Sequence, residues 1–324
     1  MGLRLVLMGT GEFALPAFRA VMSAGHQVLA VLTQPDRTGR GHHQHVNVVK
    51  QLAEERGIPV LQPERVNRAE VLERLREFGA DVFLVASYGQ ILKPELLEIP
   101  RLGAFNLHGS LLPRYRGAAP VQYAIWKGET RTGVTMFRIE PALDSGPMVG
   151  RVETEIGEQE TSGELMLRLA ELSVSLTLDV LQRLEAGTAV FERQDESQVV
   201  FSPKIAKEAG RICWSAESRA IVCQVRAMQP WPKASAILER EGQAGVRCVF
   251  LQVREAGAEN GLSAADVAGI GEVRVSNGRP YVRAGDGWLE ILRIQPDGRK
   301  AVDGRAFVNG YGLLGGAVFR TEQG

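Results

Sequence analysis

The sequence has little cysteine and no long hydrophobic segment. Its 324 residues include three cysteines, Cys213, Cys223 and Cys248, which are odd in number and widely spaced. Such a set forms neither a disulfide framework nor a zinc site and is typical of reduced thiols inside the cell. No stretch approaches the ~20 apolar residues that span a bilayer, and the apolar run at residues 5–8 is too short for a signal peptide. We therefore expect a cytoplasmic protein without a membrane segment.

An excess of charge of one sign is also absent. The chain has 38 Lys and Arg against 38 Asp and Glu, with 44% hydrophobic and 23% charged residues. These values are ordinary for a globular protein and exclude a disordered or fibrous chain. Residues 204–324 hold 17 basic and 13 acidic side chains, whereas residues 1–203 hold 21 and 25. A basic C-terminal third can contact a phosphate backbone locally, although so small an excess also arises by chance.

Apolar strands alternate with helical stretches over residues 1–188. Continuous apolar strands in β-α-β order are typical of a parallel sheet that helices cover on both faces. We predict strands at 3–8, 28–33, 81–86, 103–108, 133–139 and 148–156, and helices at 16–24, 46–56 and 119–127. Two capping-box patterns, Asn67 with Glu70 and Thr161 with Glu164, predict further helix starts, and the second opens a long amphipathic helix.

The pattern changes after residue 188. Residues 189–207 have the composition of a linker, and residues 208–324 form a predicted second domain. A helix is predicted at 216–228 with Ser215 as its N-cap. Short strands separated by Gly, Asn and Asp turns predict a small barrel. These strands lie at 234–238, 246–253, 271–275, 279–283 and 288–294.

The first strand is followed by a glycine pattern with two interpretations. Gly9, Gly11 and Ala14 match a dinucleotide-binding fingerprint, and Asp36 follows the second strand where an acidic residue would bind a ribose. This pattern fits a nicotinamide-dependent oxidoreductase. Glycines at this turn also serve tight turning in any α/β fold, and Glu12 would face a pyrophosphate.

Polar residues stand at the end of the predicted strand 103–108. Asn106 and His108 are two residues apart, so their side chains share one face of the strand. The carboxyl end of a parallel strand is where α/β folds build their sites. Burying an unused amide and imidazole there is costly, which favours a functional pair. The alternative is a hydrogen-bonded pair that closes a turn.

Asp144 is an isolated acid between two predicted strands. The loop between such paired strands can bring its carboxylate beside His108, where it would orient the imidazole. The alternative is an aspartate that only forms the turn.

The residues from Phe105 to Gly117, read with Asp144, resemble a known family. The 10-formyltetrahydrofolate-dependent formyltransferases share an Asn-x-His-x-Ser-x-Leu-Pro core and a later Asp. The matching residues here are Asn106, His108, Ser110, Leu112, Pro113 and Asp144. Similar segments at Gly9 to Phe13, Thr33 to Arg37 and Trp231-Pro232 narrow the resemblance to the methionyl-tRNA formyltransferase family along nearly the whole chain. It implies a Rossmann-like catalytic domain (1–188), a linker (189–207) and an OB-like β-barrel domain (208–324).

The resemblance implies a reaction and roles for these residues. A formyl group would pass from 10-formyltetrahydrofolate to the α-amino group of methionyl initiator tRNA, with no metal. Asn106 and His108 would donate to the oxyanion, and Asp144 would hold His108 and help to relay a proton. The folate pocket would be lined by Ser110, Leu111, Leu112 and Pro113.

The resemblance also implies contacts with tRNA. A basic loop would reach the acceptor arm through Arg37, Arg40 and the later Lys50, although His42, His43 and His45 stand where lysines are common. Those histidines weaken the expected electrostatic attraction, and a metal site is an alternative for them. The barrel would hold the tRNA, with Arg299 and Lys300 as candidate contacts, and Trp214 and Trp231 are interpreted as packing residues.

Rival functions stay open at this point. One is formylation of a small amine, such as an amino sugar or glycinamide ribonucleotide. The others are the nicotinamide-dependent oxidoreductase and an RNA-binding module without catalysis. We expect the chain to act as a monomer.

Overall fold

A seven-stranded sheet organises the first part of the chain. The structure is a computed structural model that describes residues 2–36, 47–257, 261–262, 268–313 and 316–322. The strand order is β3-β2-β1-β4-β5-β7-β8, in which β7 runs antiparallel to β5 and β8 while β1 to β5 run parallel. The strands are β1 (Arg4–Gly9), β2 (Gln27–Leu32), β3 (Val60–Leu61), β4 (Val82–Ala86), β5 (Gly103–His108), β6 (Arg116–Gly117), which pairs outside this sheet, β7 (Arg131–Arg138) and β8 (Met148–Glu155).

The apolar runs of the sequence bury the central strands β1, β4 and β5 on both faces of the sheet. All five residues of β4 are buried, as are the last five of β1. On one face, Val6 and Met8 pack with Leu72 and Leu75. The helices of this part are α1 (Leu15–Ser23), α2 (Val48–Glu55), α3 (Ala69–Phe78), α4 (Pro94–Leu97), α5 (Pro120–Trp126) and α6 (Ser162–Ala186). The predicted Rossmann-like sheet is confirmed, and the ends of its six predicted strands lie within two residues of those observed, whereas the two-residue strand β3 is absent from the prediction.

A closed antiparallel barrel organises the later part of the chain. Its six strands follow the order β11-β10-β16-β12-β13-β14, and β14 pairs back to β11. This confirms the predicted OB-like barrel, because closure leaves no open sheet edge among these strands. The remaining elements are β9 (Phe201–Ser202), α7 (Ser218–Ala227), β10 (Ala234–Arg240), β11 (Gln243–Glu255), β12 (Glu272–Ser276), β13 (Arg279–Arg283), β14 (Trp288–Pro296), β15 (Val302–Asp303), α8 (Gly304–Tyr311) and β16 (Ala317–Arg320).

The two tryptophans interpreted as packing residues differ. Trp214 is buried in the barrel core, with its ring centroid 5.3 Å from that of Phe250 and 5.8 Å from that of Phe319. Trp231 is 54% exposed, so its interpretation as a packing residue is wrong. It stands between two prolines, in a turn that ends before β10 begins.

Helix starts test the capping predictions. The capping box of Thr161 and Glu164 is confirmed, since Thr161 N donates to Glu164 Oε2 at 2.9 Å and α6 begins at the next residue. The box of Asn67 and Glu70 is wrong: Asn67 instead accepts from Lys93 N and donates to Ile91 O. Ser215 as N-cap is also wrong, because α7 begins at Ser218.

The chain forms two compact units that alternate along the sequence. The first comprises Met1–Pro120, Arg131–Glu155 and Leu165–Pro203, and the second comprises Val121–Thr130, Ile156–Glu164 and Lys204–Gly324. Residues 189–203, expected to be a linker, therefore lie within the first unit. The limits of the functional domains stay a prediction. In the described residues, none of the helices combines the length and apolarity that crossing a bilayer requires.

Candidate active site

The end of β5 carries the polar pair that the sequence singles out. Asn106 lies opposite Val85 of β4 and Phe137 of β7, which fixes its position in the middle of the sheet. Its side chain is half-buried, whereas His108 is 95% buried. Strand alternation places both side chains on one face of the sheet.

The two ring nitrogens of His108 have different surroundings. Nε2 lies 2.9 Å from the carbonyl oxygen of Tyr115. A carbonyl only accepts, so Nε2 carries the proton in this contact and the neutral ring has its free electron pair on Nδ1. That Nδ1 atom lies 3.8 Å from Asp144 Oδ2. The ring therefore presents a proton-accepting nitrogen toward a carboxylate.

Asp144 lies in the loop between β7 and β8, and its carboxylate is held by a backbone donor from β6. Its Oδ2 atom accepts a hydrogen bond of 2.8 Å from the amide of Gly117. Its backbone has φ of +46°, a left-handed conformation that aspartate tolerates better than most residues. The loop thus brings the carboxylate beside His108, as the sequence predicts, although the pair is too far apart for a direct hydrogen bond.

The predicted folate-binding stretch is a hydrogen-bonded turn after β5. The Ser110 hydroxyl is buried and donates to Arg114 O at 2.7 Å. Thr135 ties the turn to β7, because its hydroxyl donates to Ser110 O and accepts from Leu112 N. Leu111 and Pro113 are only half-buried. Contact of this stretch with folate stays a prediction.

The predicted tRNA loop is only partly described. Arg37 and Arg40 lie outside the described residues, as do His42, His43 and His45. Lys50, in α2, forms an ion pair with Asp36, and this hydrogen bond raises the pKa of Lys50. Its role as a phosphate contact stays a prediction.

Asp36, which a nicotinamide cofactor would need for its ribose, is already engaged. Its carboxylate accepts from Lys50 Nζ and, at 3.0 Å, from Gln62 Nε2, and these two bonds lower its pKa. Within the described part of the chain, no three His, Cys, Asp or Glu side chains form a metal-binding group.

The sequence analysis assigns no role to four residues of the site. Tyr115 and Gly117 contact His108 and Asp144 through backbone atoms, which no side-chain pattern reveals. Arg116 and Gln194 are buried polar side chains beside them. The positive φ of Gly117, +126°, is the only one of these features with a sequence correlate, namely the glycine itself. Gln194 lies in a stretch of linker-like composition.

Two family models match the chain. One, described as "Formyl transferase", covers residues 3–181 and therefore includes Asn106, His108 and Asp144. The other, "Formyl transferase, C-terminal domain", covers residues 204–312. The chain belongs to the formyl transferase family.

Curated relatives of the chain match along almost its whole length. It is 44% identical to the methionyl-tRNA formyltransferase of Solibacter usitatus, over 96% of both chains. It is 41% identical to the enzyme of that name from Methylococcus capsulatus, over 97% of this chain and 98% of the relative. The corresponding Citrifermentans bemidjiense protein is 40% identical, over 98% and 96%.

Solved structures share the fold at low sequence identity. The N-formyltransferase from Helicobacter canadensis, in complex with folinic acid and dTDP-3-aminofucose, superposes with a TM-score of 0.63 at 17% identity, over 91% of this chain and all of that one. HypX from Aquifex aeolicus, in complex with tetrahydrofolic acid, gives 0.60 at 17% identity, over 97% of this chain and 48% of that one. Both likenesses concern the fold.

Proposed function

We propose that the protein transfers a formyl group from 10-formyltetrahydrofolate to the α-amino group of methionyl initiator tRNA. One observation carries the proposal. The pair of His108 and Asp144, beside Asn106, stands in a chain that is 40–44% identical, through both parts, to proteins named methionyl-tRNA formyltransferase.

Asn106 is the donor for the developing oxyanion. When the amine attacks the formyl carbon, the formyl oxygen gains negative charge, and a preorganised N–H donor stabilises that charge. The Asn106 amide fits this role because it is half-buried and makes no hydrogen bond to another described residue. An amide without an internal partner at the end of a central strand is ready to donate to a substrate.

His108 receives the proton that the attacking amine must lose. Its Nε2–H is committed to Tyr115 O, so Nδ1 is the atom that accepts. The carboxylate of Asp144, 3.8 Å away, lies where the positive charge of the ring then develops. The protonated Nδ1 becomes a second donor beside Asn106. From this nitrogen the proton can pass to the departing nitrogen of the folate. His108 acts as an acid and base and forms no covalent bond.

The formyl donor is a folate. The resemblance to the family assigns the lining of its pocket to Ser110, Leu111, Leu112 and Pro113. The turn suits a flat apolar group, because Leu111 and Pro113 are partly open while the polar atoms of Ser110 are bonded internally. Structures of the fold with folinic acid and tetrahydrofolic acid support this donor class. The chain itself supplies the acid–base groups, and the folate supplies the carbon.

The acceptor is methionyl initiator tRNA rather than a small amine. The full-length likeness to methionyl-tRNA formyltransferases includes the barrel, which is an architecture suited to RNA. Arg37, Arg40 and Lys50 are the proposed phosphate contacts on the acceptor-arm side.

The test is a formyl-transfer assay resolved by acid gel or mass spectrometry. The protein is mixed with 10-formyltetrahydrofolate and either initiator or elongator methionyl-tRNA. Rapid transfer to the initiator alone establishes the donor, the acceptor and the specificity together. Folate binding without transfer to either tRNA would contradict the proposed acceptor and favour a small amine.

Variants of the pair test the mechanism in the same assay. His108→Ala and Asp144→Ala should abolish transfer with only a modest loss of tRNA affinity, since both side chains serve the chemical step. Near-full activity of either variant would contradict the assigned roles.

A further inference from the structure

Gln194 lies in the stretch expected to be a linker, yet its side chain is 92% buried beside the loop of Asp144. Its Nε2 atom donates two hydrogen bonds of 2.8 Å, one to the carbonyl oxygen of Asp144 and one to that of Gly146. Both protons of the amide are therefore used to hold the backbone of the loop that carries the carboxylate.

Arg116 fixes the orientation of that amide. Gln194 Oε1 accepts from Arg116 Nε at 3.0 Å and from Nη2 at 2.8 Å. A guanidinium only donates and a carbonyl only accepts, so the amide oxygen must face Arg116 and the amide nitrogen must face the loop. Arg116 is held in turn by Glu196, whose carboxylate accepts hydrogen bonds from Nη1 and Nη2.

The strand of Arg116, β6, and the residue before it also set the position of His108. Tyr115 O accepts from the His108 ring, Arg116 holds Gln194, and the Gly117 amide donates to the Asp144 carboxylate. Tyr115, which precedes β6, and the two residues of β6 thus fix both members of the pair. Gln194 ties the backbone of the Asp144 loop to the Arg116 side chain of this strand.

We infer that Gln194 is a positioning residue for formyl transfer, which sets the distance between Asp144 and His108 through the loop backbone. The inference rests on the proposed function. Gln194 itself does not touch the reacting atoms. Without its two donated bonds, the bond from the Gly117 amide to the Asp144 carboxylate is what still joins the loop to the strand among the described residues, and the carboxylate moves relative to Nδ1. Displacement of a catalytic group by about 1 Å can cost about 100-fold in rate.

Formylation kinetics, with kcat and KM measured separately, distinguish this role from a merely structural one. Gln194→Ala should lower kcat by roughly 10- to 100-fold while KM for both substrates changes little, because neither substrate site contains Gln194. Gln194→Glu keeps the volume and the pairing with Arg116, but it sets a carboxylate oxygen against two carbonyl oxygens, so its kcat should fall as well. Gln198→Ala is the matched control, since Gln198 is exposed on the same segment and its side chain donates to Asp195.

A double-mutant cycle gives the decisive comparison. If Gln194 acts through Asp144, Gln194→Ala should cause no further loss in the residual single-turnover rate constant of Asp144→Asn, a variant that keeps the side-chain volume and an acceptor for the Gly117 amide. An equal loss in both backgrounds, or wild-type kcat in Gln194→Ala and Gln194→Glu, would overturn the inference. Should Gln194→Ala fail to fold, the isosteric Gln194→Glu carries the same comparison. Absence of transfer by the wild-type protein would instead overturn the proposed function, so the two failures are distinct.

Discussion

The side-chain amide of Asn106 is half-buried and makes no hydrogen bond to another described residue. Asn106→Ala should therefore leave the free energy of unfolding nearly unchanged, while formyl transfer falls by about 10²–10³-fold through loss of an oxyanion donor. Single-turnover assays measure the rate of formyl transfer, and denaturant unfolding measures the free energy of unfolding. Asn309→Ala, at an exposed position of α8, is the control that should change neither. A rate within threefold of wild type for Asn106→Ala would remove this residue from the mechanism.

The three cysteines should differ sharply in reactivity. Cys213 is exposed, whereas Cys223 and Cys248 are buried. Burial raises the pKa of Cys248 to about 12, so its thiolate is scarce at neutral pH. A thiol reagent should modify one equivalent quickly in the native protein and three after denaturation, and Cys213→Ser should remove the fast phase. A second fast equivalent in the native state would contradict the burial of these side chains.

The proposed catalytic pair shows which site residues a sequence can reveal. Asn106, His108 and Asp144 are chemically conspicuous side chains near strand ends, and the structure brings His108 and Asp144 together. Gln194 is inconspicuous because its hydrogen-bond partner Arg116 lies 78 positions away in sequence. A buried network assembled from distant segments leaves no local pattern.

At the scale of elements, the start of α6 is predicted correctly because its cap is local. Thr161 and Glu164 cap α6 from within three residues. The carboxylate that caps α7 comes instead from Asp286, which accepts from Ser218 N and Ser218 Oγ at 2.7 Å. Ser215 is the nearest residue of the right type, but a turn of the barrel 68 positions away performs the task.

The Asp286 cap gives a stability prediction. Asp286→Ala should lower the free energy of unfolding by about 1 kcal/mol, as for other lost N-caps. Hydrogen bonds from the amide and then the hydroxyl of Ser218 lower the pKa of Asp286. Its contribution is therefore present above the unfolded-state pKa of about 4 and is lost as the pH falls through the lower folded value.

Denaturant unfolding of wild type and variant between neutral and acid pH tests this prediction. The difference should be full at neutral pH and shrink in acid. Asp297→Ala is the control, because this exposed carboxylate meets Arg247 at 3.3 Å and such pairs contribute little. A pH-independent difference for Asp286→Ala would show that the carboxylate charge does not stabilise α7.

The barrel strand β16 also has no clear local signal in the sequence. β16 has four residues and pairs with both β10 and β12. A segment this short carries no clear period, so its strand character comes from the two neighbours that supply hydrogen bonds. The other barrel strands have longer alternating or apolar runs, and their predicted ends lie within three residues of those observed.

At the scale of the whole molecule, chemistry and charge are distributed differently along the sequence. His108 and Asp144 lie in the first compact unit, whereas the basic excess lies in residues 204–324. Binding of an RNA phosphate backbone releases counterions and weakens as salt increases, while proton transfer in a buried site does not. Salt should therefore separate acceptor binding from the chemical step.

Raising potassium chloride from about 50 mM to about 300 mM should increase KM for methionyl-tRNA strongly. It should leave the single-turnover rate constant nearly unchanged. Because each phosphate contact contributes about one to the slope of log KM against log salt, Arg40→Ala should lower that slope by about one. Arg74→Ala is the control, since Arg74 pairs with Glu77 on α3 and should leave the slope unchanged. An unaltered slope in Arg40→Ala would exclude that loop from phosphate contact and assign the electrostatic attraction to other basic side chains, with Arg299 and Lys300 as the next pair to substitute.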